Sequence, residues 1–140
     1  MVHIRLLQKN DFEQYIGLIN QFRPINIQID FTKFTEIYDT IFKNSEIYVA
    51  CINDQIVGSI TVIYEQKFIH KLSVYAHIED VIVDEKNRHM KIGTQLLAYV
   101  KQICKEKGCF KCLLVCNDDV KKFYLQNDFE ERGLNMSYLL

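Results

Sequence analysis

Residues 79–93 read Glu-Asp-Val-Ile-Val-Asp-Glu-Lys-Asn-Arg-His-Met-Lys-Ile-Gly and run directly into an amphipathic stretch. A β-branched segment, a short polar loop and a helix start, in that order, make an anion site. The first amides of a helix lack intrahelical partners and sit at the positive end of its dipole. Arg88 to Thr94 is therefore a candidate seat for a phosphate-bearing ligand. Only Gly93 lies in this loop, so alone it reads as readily as an ordinary helix start. Glu79 and Asp80 form a carboxylate pair at the head of the same segment. Neighbours on a strand face opposite sides, so both can serve one pocket only if a bulge re-aims one of them.

Lys67, His70 and Lys111 are candidate ligands for hydroxyls or a phosphate, although any one of them alone reads as a solvated side chain. Tyr124, one of eight tyrosines, follows Phe123 on a short helix and could donate a proton or simply pack.

Five cysteines occur: Cys51, Cys104, Cys109, Cys112 and Cys116. Cys109 and Cys112 have the spacing of a redox or zinc pair. Read as part of one strand, they point to opposite faces. A zinc site needs about four ligands and no second pair is evident. Buried, inert thiols are the expectation, with no metal.

Several elements must position these residues. His3 to Leu7 reads as a strand. Asn10 with Glu13 resembles a capping box, and Phe12, Tyr15, Ile16, Ile19 and Phe22 then share one helical face until Pro24. Phe31 to Lys43 reads as a second helix. Ile47 to Ile52 is an apolar run, and Asn53-Asp54 turns it into Ile56 to Gln66 as a hairpin. A strand over Ser73 to Asp84 leads to a long helix from Met90 to Lys107, with Gly108 placed as its C-terminal glycine. A strand from Phe110 to Cys116, a helix from Asp119 to Asn127 and two short strands near Phe129 and Tyr138 complete the order. Strand-helix-strand from Val74 to Cys116 requires a parallel crossover in a mixed sheet. One α/β domain over residues 1–140, a mixed central sheet flanked by helices, is the expected fold. Ligands bind such sheets at the C-terminal ends of strands.

The formal net charge of −1 gives no support for nucleic-acid binding. No apolar run approaches the roughly 18 residues of a membrane span. Charged residues come early in the chain and the cysteine count is odd, which points to a reducing, cytoplasmic setting.

Two motifs carry a resemblance. Arg88-His89-Met90-Lys91-Ile92-Gly93 sits where the GNAT superfamily of acyl-CoA-dependent N-acetyltransferases has its Arg/Gln-x-x-Gly-x-Gly loop, and Asn117-x-x-Val120-x-x-x-Tyr124 is similar to that family's Asn-x-x-Ala-x-x-x-Tyr. Four further blocks resemble the glucosamine-6-phosphate N-acetyltransferase branch. They are Lys67-Phe68-Ile69-His70, His77-Ile78-Glu79-Asp80-Val81, Gly108-Cys109-Phe110-Lys111, and Phe123-Tyr124 with Phe129.

The resemblance implies acetyl-CoA as co-substrate and D-glucosamine 6-phosphate as acceptor, in amino-sugar and UDP-N-acetylglucosamine biosynthesis. It implies a homodimer with residues borrowed across the interface. Val81, Ile82 and Val83 would pair with the pantetheine arm through their main chain. Arg88, His89, Met90, Lys91, Ile92, Gly93 and Thr94 would hold the pyrophosphate, with Asn117 and Tyr124 also at the cofactor. Glu79, Asp80, Lys67, Phe68, Ile69, His70, Phe110 and Lys111 would line the acceptor. Direct attack by the amine would form an oxyanion near the Val81 amide, and Tyr124 would protonate the departing thiolate.

The chain also departs from the pattern. His89 and Lys91 replace small loop residues, which a helix-start conformation tolerates. Val115 stands where the family commonly has an acidic residue. An amine of pKa near ~8 is partly neutral at cellular pH, so a dedicated base is dispensable, and Asp118 or Glu79 could otherwise act through water. Leu139 replaces an arginine. Arg23 replaces a threonine and is the candidate to take over phosphate binding, since its fork suits that group. These departures leave open the same chemistry on another small amine, or a CoA-binding module without catalysis.

Overall fold

The computed structural model describes residues 1–140. Five strands form one sheet: β1 (His3–Leu6), β2 (Ser45–Ile52), β3 (Gln55–Gln66), β4 (Val74–Val83) and β5 (Lys111–Leu113). Their order across the sheet is the order of the chain. The first four pair antiparallel and β5 joins β4 in parallel. The helices are α1 (Phe12–Phe22), α2 (Phe31–Ile41), a single turn α3 (Ile69–Leu72), α4 (Ile92–Glu106) and α5 (Asp118–Leu125).

The apolar run of β2 is continuous because both sheet faces are covered. Tyr48 and Ala50 face a core with Ile60, Val62, Ile78 and the α4 residues Ile92, Leu96, Leu97 and Val100. Ile47, Val49 and Cys51 face the other core, with Leu18, Phe34 and Ile82. The β2–β3 turn places Asn53 and Asp54 at φ 48 and 63, the left-handed pair a tight hairpin needs. Asp30 caps α2 by accepting from the Lys33 amide at 2.8 Å.

Four expectations are corrected. The capping box falls earlier, on Gln8 and Asp11 around a 3-10 turn (Lys9–Asp11). Asp11 is held there by Arg5 at 2.8 and 3.0 Å and by the Gln8 amide at 2.8 Å. The long helix starts at Ile92, because Glu85–Met90 is 3-10 and Lys91 turns left-handed. The strand expected over Phe110 to Cys116 is only Lys111–Leu113, since the chain leaves β4 after that point. No strand forms near Phe129 or Tyr138. Leu134, Met136, Tyr138 and Leu139 are all at least 87% exposed, so the tail packs on nothing in its own chain.

The cysteine argument also changes. Cys109 precedes β5 rather than lying in it, so strand alternation does not separate it from Cys112. Both pack on the core that contains Cys104. No group of three or more His, Cys, Asp or Glu side chains is arranged to hold a metal ion. No helix is long and apolar enough to cross a membrane.

Candidate active site

β4 pairs with β5 only from Tyr75 to His77. Beyond that, residues 114–117 leave the sheet, so the edge of β4 from Ile78 to Val83 has no strand partner on this side. The other edge stays paired with β3, through one irregularity. Thr61 opposes Glu79 and Ser59 opposes Ile82, leaving Asp80 and Val81 together against Ile60. This is a β-bulge, and Asp80 takes φ 48 to make it. Aspartate is one of the few residues that enters this region readily. Glu79 and Asp80 are both exposed, at the open edge. Beneath the bulge lies a residue that sequence reasoning missed, Tyr15 of α1. Burial pushes its hydroxyl up, while the nearby Ser59 and Thr61 hydroxyls lower it and the charge of Asp80 raises it.

The start of α4 faces the end of this open edge. Gln95 is the first α4 residue whose amide bonds a carbonyl ahead of the helix, Lys91 O at 3.1 Å, so Ile92, Gly93 and Thr94 precede the helical hydrogen-bond ladder. Lys91 itself has φ 57 and ψ 29. The expectation that any residue suits this loop therefore fails at Lys91, where glycine would be unstrained. Arg88 donates from Nε to Val83 O at 3.3 Å, so that carbonyl already has a partner. His89 is exposed, and Met90 Sδ accepts from Asn87 Nδ2 at 3.5 Å. Gly93 lies inside the buried helix face, and a Cβ there would stand 3.0 Å from Phe123 Cζ. Its smallness brings α4 and α5 together.

Asn117 is the residue before α5, and its side chain makes no capping bond. Tyr124 is half-buried between Phe123 and Phe129, at ring distances of 5.0 and 5.9 Å. Burial raises its hydroxyl above the usual tyrosine value, with Cys116 and Glu79 adding to the effect, so it stays a donor.

A second group gathers at the other end of β4. Lys67 Nζ lies 5.0 Å and Lys111 Nζ 4.9 Å from the ring centre of Tyr75. His70 stacks on Phe110 at 4.1 Å, and Phe110 stacks on Tyr75 at 5.7 Å. Lys67 also pairs with Glu65 at 3.1 Å, and Glu65 reaches His77 at 2.9 Å. These two partners hold the Glu65 carboxyl below its usual range, His77 more than Lys67. Tyr75 is the hub of this cluster and was not singled out from sequence. The alternation Tyr75, His77, Glu79 along one strand was the available signal. His70, Lys71 and Leu72 all have φ between 51 and 60, which turns Phe68, Ile69 and Leu72 out to solvent.

Arg23 is not brought to this cluster. It is exposed just past α1, and Gln21 of that helix binds Asp84 at 2.8 Å, beyond the far end of β4. A cleft of about 520 Å³ lies between residues 111–116 and 128–135. Tyr124 and Lys111 line it, but no residue from Glu79 to Thr94 does.

The unpaired β4 edge, the bulge and the facing helix start form the layout expected from the sequence motifs. Residues 14–129 match the acetyltransferase (GNAT) family. The chain belongs to that family. It is 29% identical to a Dictyostelium discoideum glucosamine 6-phosphate N-acetyltransferase 1, over 99% of this chain and 91% of the relative. It is 27% identical to the Arabidopsis thaliana glucosamine 6-phosphate N-acetyltransferase, over 96% and 93%. A probable Drosophila melanogaster enzyme of the same name is 28% identical over 86% of this chain, which spans 57% of that longer relative. Among solved structures, the Arabidopsis thaliana glucosamine-6-phosphate N-acetyltransferase superposes with a TM-score of 0.91 at 26% identity, covering 99% of this chain and 98% of that one. An aminoglycoside acetyltransferase from a soil metagenome shares the fold at a TM-score of 0.82 and 23% identity, covering 99% and 96%.

Proposed function

We propose that the protein transfers acetyl from acetyl-CoA to the amine of D-glucosamine 6-phosphate, giving N-acetyl-D-glucosamine 6-phosphate and CoA. The observation that carries this reading is the bulge at Asp80–Val81. It interrupts the part of β4 that β5 leaves unpaired inside the sheet, beside an uncapped helix start. Relatives that match nearly the full chain bear the name of this reaction.

The residues fit the co-substrate. The open edge of Val81 to Val83 suits an extended pantetheine arm bound by main-chain bonds. The amides at Ile92 to Thr94, with Lys91 and Arg88 nearby, suit the pyrophosphate, and Asn117 is free to bind the cofactor. Acetyl-CoA supplies the activated acyl group. Glu79 and Asp80, both exposed at the bulge, orient the acceptor amine. The Val81 amide stabilises the oxyanion and Tyr124 gives its proton to the leaving sulfur. Lys67, His70 and Lys111, with Phe68, Ile69 and Phe110, supply cations and ring faces to a sugar phosphate, and Arg23 supplies a fork for the phosphate.

The same reading makes the protein a cytoplasmic homodimer. Ten-residue β4 spans roughly 30 Å and separates Arg23 from the Lys67 cluster within one chain. Two copies sharing a site would unite them, and the exposed apolar tail from Leu134 to Leu140 would be covered.

The test follows CoA thiol release with D-glucosamine 6-phosphate, D-glucosamine and other small amines. Release with the phosphorylated sugar alone is expected. Release only with unphosphorylated amines would move the reading to another acceptor. No release with any amine would leave a CoA-binding module.

A further inference from the structure

Two glutamines on α1 reach out of the helix to other elements. Gln14 and Gln21 stand two helical turns apart and so share a face. Gln14 Oε1 accepts from the Ile56 amide at 2.8 Å and its Nε2 donates to Asp54 O at 3.3 Å, which ties α1 to the β2–β3 hairpin. Gln21 Nε2 donates to Asp84 Oδ1 at 2.8 Å, and its Oε1 accepts from the Glu85 amide at 3.2 Å. Gly17 lies between the two clamps with open space where a Cβ would be. A cleft of about 700 Å³ opens there between α1, the hairpin and the residues Asp84, Lys86 and Asn87. Gln21 spans it, and no other hydrogen bond joins α1 to residues 84–91.

The target of that clamp is the entry to the loop before α4. Glu85 opens the 3-10 turn that leads through Met90 to Lys91 and the helix start. Asp84 occupies the cap position of the turn, yet its carboxylate makes no capping bond and accepts from Gln21 instead. The Asp84 amide donates to Val57 O at 2.8 Å. β3 therefore fixes where the turn begins, and Gln21 fixes the direction in which it leaves. At the far end Gln95 Nε2 donates to Met90 O at 3.4 Å, just ahead of the left-handed Lys91. A side chain that holds one arrangement of a loop raises the fraction of chains ready to bind, and apparent affinity follows that fraction.

We propose that Gln21 is a positioning residue for the cofactor loop. By clamping Asp84 and Glu85 to the last turn of α1, it holds residues 84–94 in the arrangement that binds CoA. It acts through those two residues rather than on the ligand. This role presupposes the pyrophosphate seat proposed above. Gln14 makes the same kind of clamp on the hairpin, where it supports the fold and not the loop.

The experiment is calorimetric titration of the full chain with CoA, without acceptor, on variants whose melting temperatures are also measured. Gln21→Glu keeps the bond from the Glu85 amide but sets two carboxylates against each other, and CoA should bind about tenfold more weakly. Asp84→Asn alone keeps an acceptor for Gln21 and should bind within about twofold of the parent. Gln21→Glu combined with Asp84→Asn exchanges donor and acceptor, so the bond is kept and affinity should return to about that of Asp84→Asn. The charge that Gln21→Glu adds near an anionic ligand is the same in both backgrounds, so the cycle reads the Gln21–Asp84 contact itself. Gln14→Ala should melt lower and bind CoA as the parent does. Parent-like affinity in Gln21→Glu, no recovery in the double variant, or an equal loss in Gln14→Ala would each overturn the proposal while leaving the CoA seat in place. A parent chain that binds no CoA would overturn the seat, and the role of Gln21 with it.

Discussion

The Cβ that Gly58 lacks would stand 2.9 Å from Cγ2 of Ile92 and 3.1 Å from the Ile82 carbonyl oxygen. Gly58 is on β3 and Ile92 opens α4, so this missing side chain sets how closely the helix start seats on the sheet. Gly58→Ala should lower stability by about 1–3 kcal/mol, the usual cost of overpacking. It should also weaken CoA binding, because the amides that follow Ile92 move with it. Urea melts and calorimetric titration with CoA read the two effects separately.

Lys91 tests the loop in the opposite direction. Its left-handed backbone costs roughly 1 kcal/mol that glycine would not incur. Lys91→Gly is expected to melt no lower than the parent, while its KM for acetyl-CoA rises through loss of the charge. Lys91→Val should melt lower, since a β-branched residue fits this conformation worst.

Tyr124→Phe keeps the ring between Phe123 and Phe129, so the melting temperature should hold. Steady-state kcat should fall ~10²-fold, as for loss of a positioned acid. The raised hydroxyl means the neutral donor persists up to and past pH 10, the ordinary tyrosine value. A pH–rate profile should therefore show no alkaline loss between about pH 8 and 10 that Tyr124→Phe removes.

Asp11 governs the acid side of stability. Burial raises its carboxyl, but hydrogen bonds from Arg5 and the Gln8 amide outweigh this, and the net shift is downward from 3.8. A depressed carboxyl stabilises the fold above its unfolded pKa and loses that contribution as pH falls through the folded value. Asp11→Asn should cost ~2 kcal/mol at pH 7, in line with charged hydrogen bonds, and less at pH 3. Denaturant midpoints at the two pH values measure it.

Removing residues 136–140 should leave the fold of one chain intact, because Met136, Tyr138, Leu139 and Leu140 are at least 87% exposed. If the chain is a homodimer covered at this tail, light scattering after size exclusion should show the truncated protein shifting to the monomer mass. A parent that is already monomeric would count against the dimer.

Much of this layout was legible in residue order. Ile47 to Ile52 showed a strand buried on both faces, and Gly108 showed where the long helix stops. The left-handed turn at Lys91 was not visible, because lysine does not favour that conformation. Tyr75 stayed hidden for a different reason. Its importance comes from Lys67 and Lys111, which approach its ring from the loop after β3 and from β5. The Asp80 bulge was reached by resemblance, since an adjacent Glu-Asp pair on a strand does not by itself announce an extra residue. Apolar residues near Tyr138 suggested a strand, but apolar composition alone names no partner, and those residues stay exposed.

Each strand of this sheet lies next to the one made before it. A ribosome can therefore deliver the sheet in sequence, with every new strand finding its template already in place. Only the last step, the parallel docking of β5 after α4, must wait for a long crossover to emerge. The open β4 edge where the co-substrate would lie is thus the final growing margin of the nascent sheet. Because β5 pairs only with Tyr75 to His77, that margin stays open to capture by another chain even after β5 arrives.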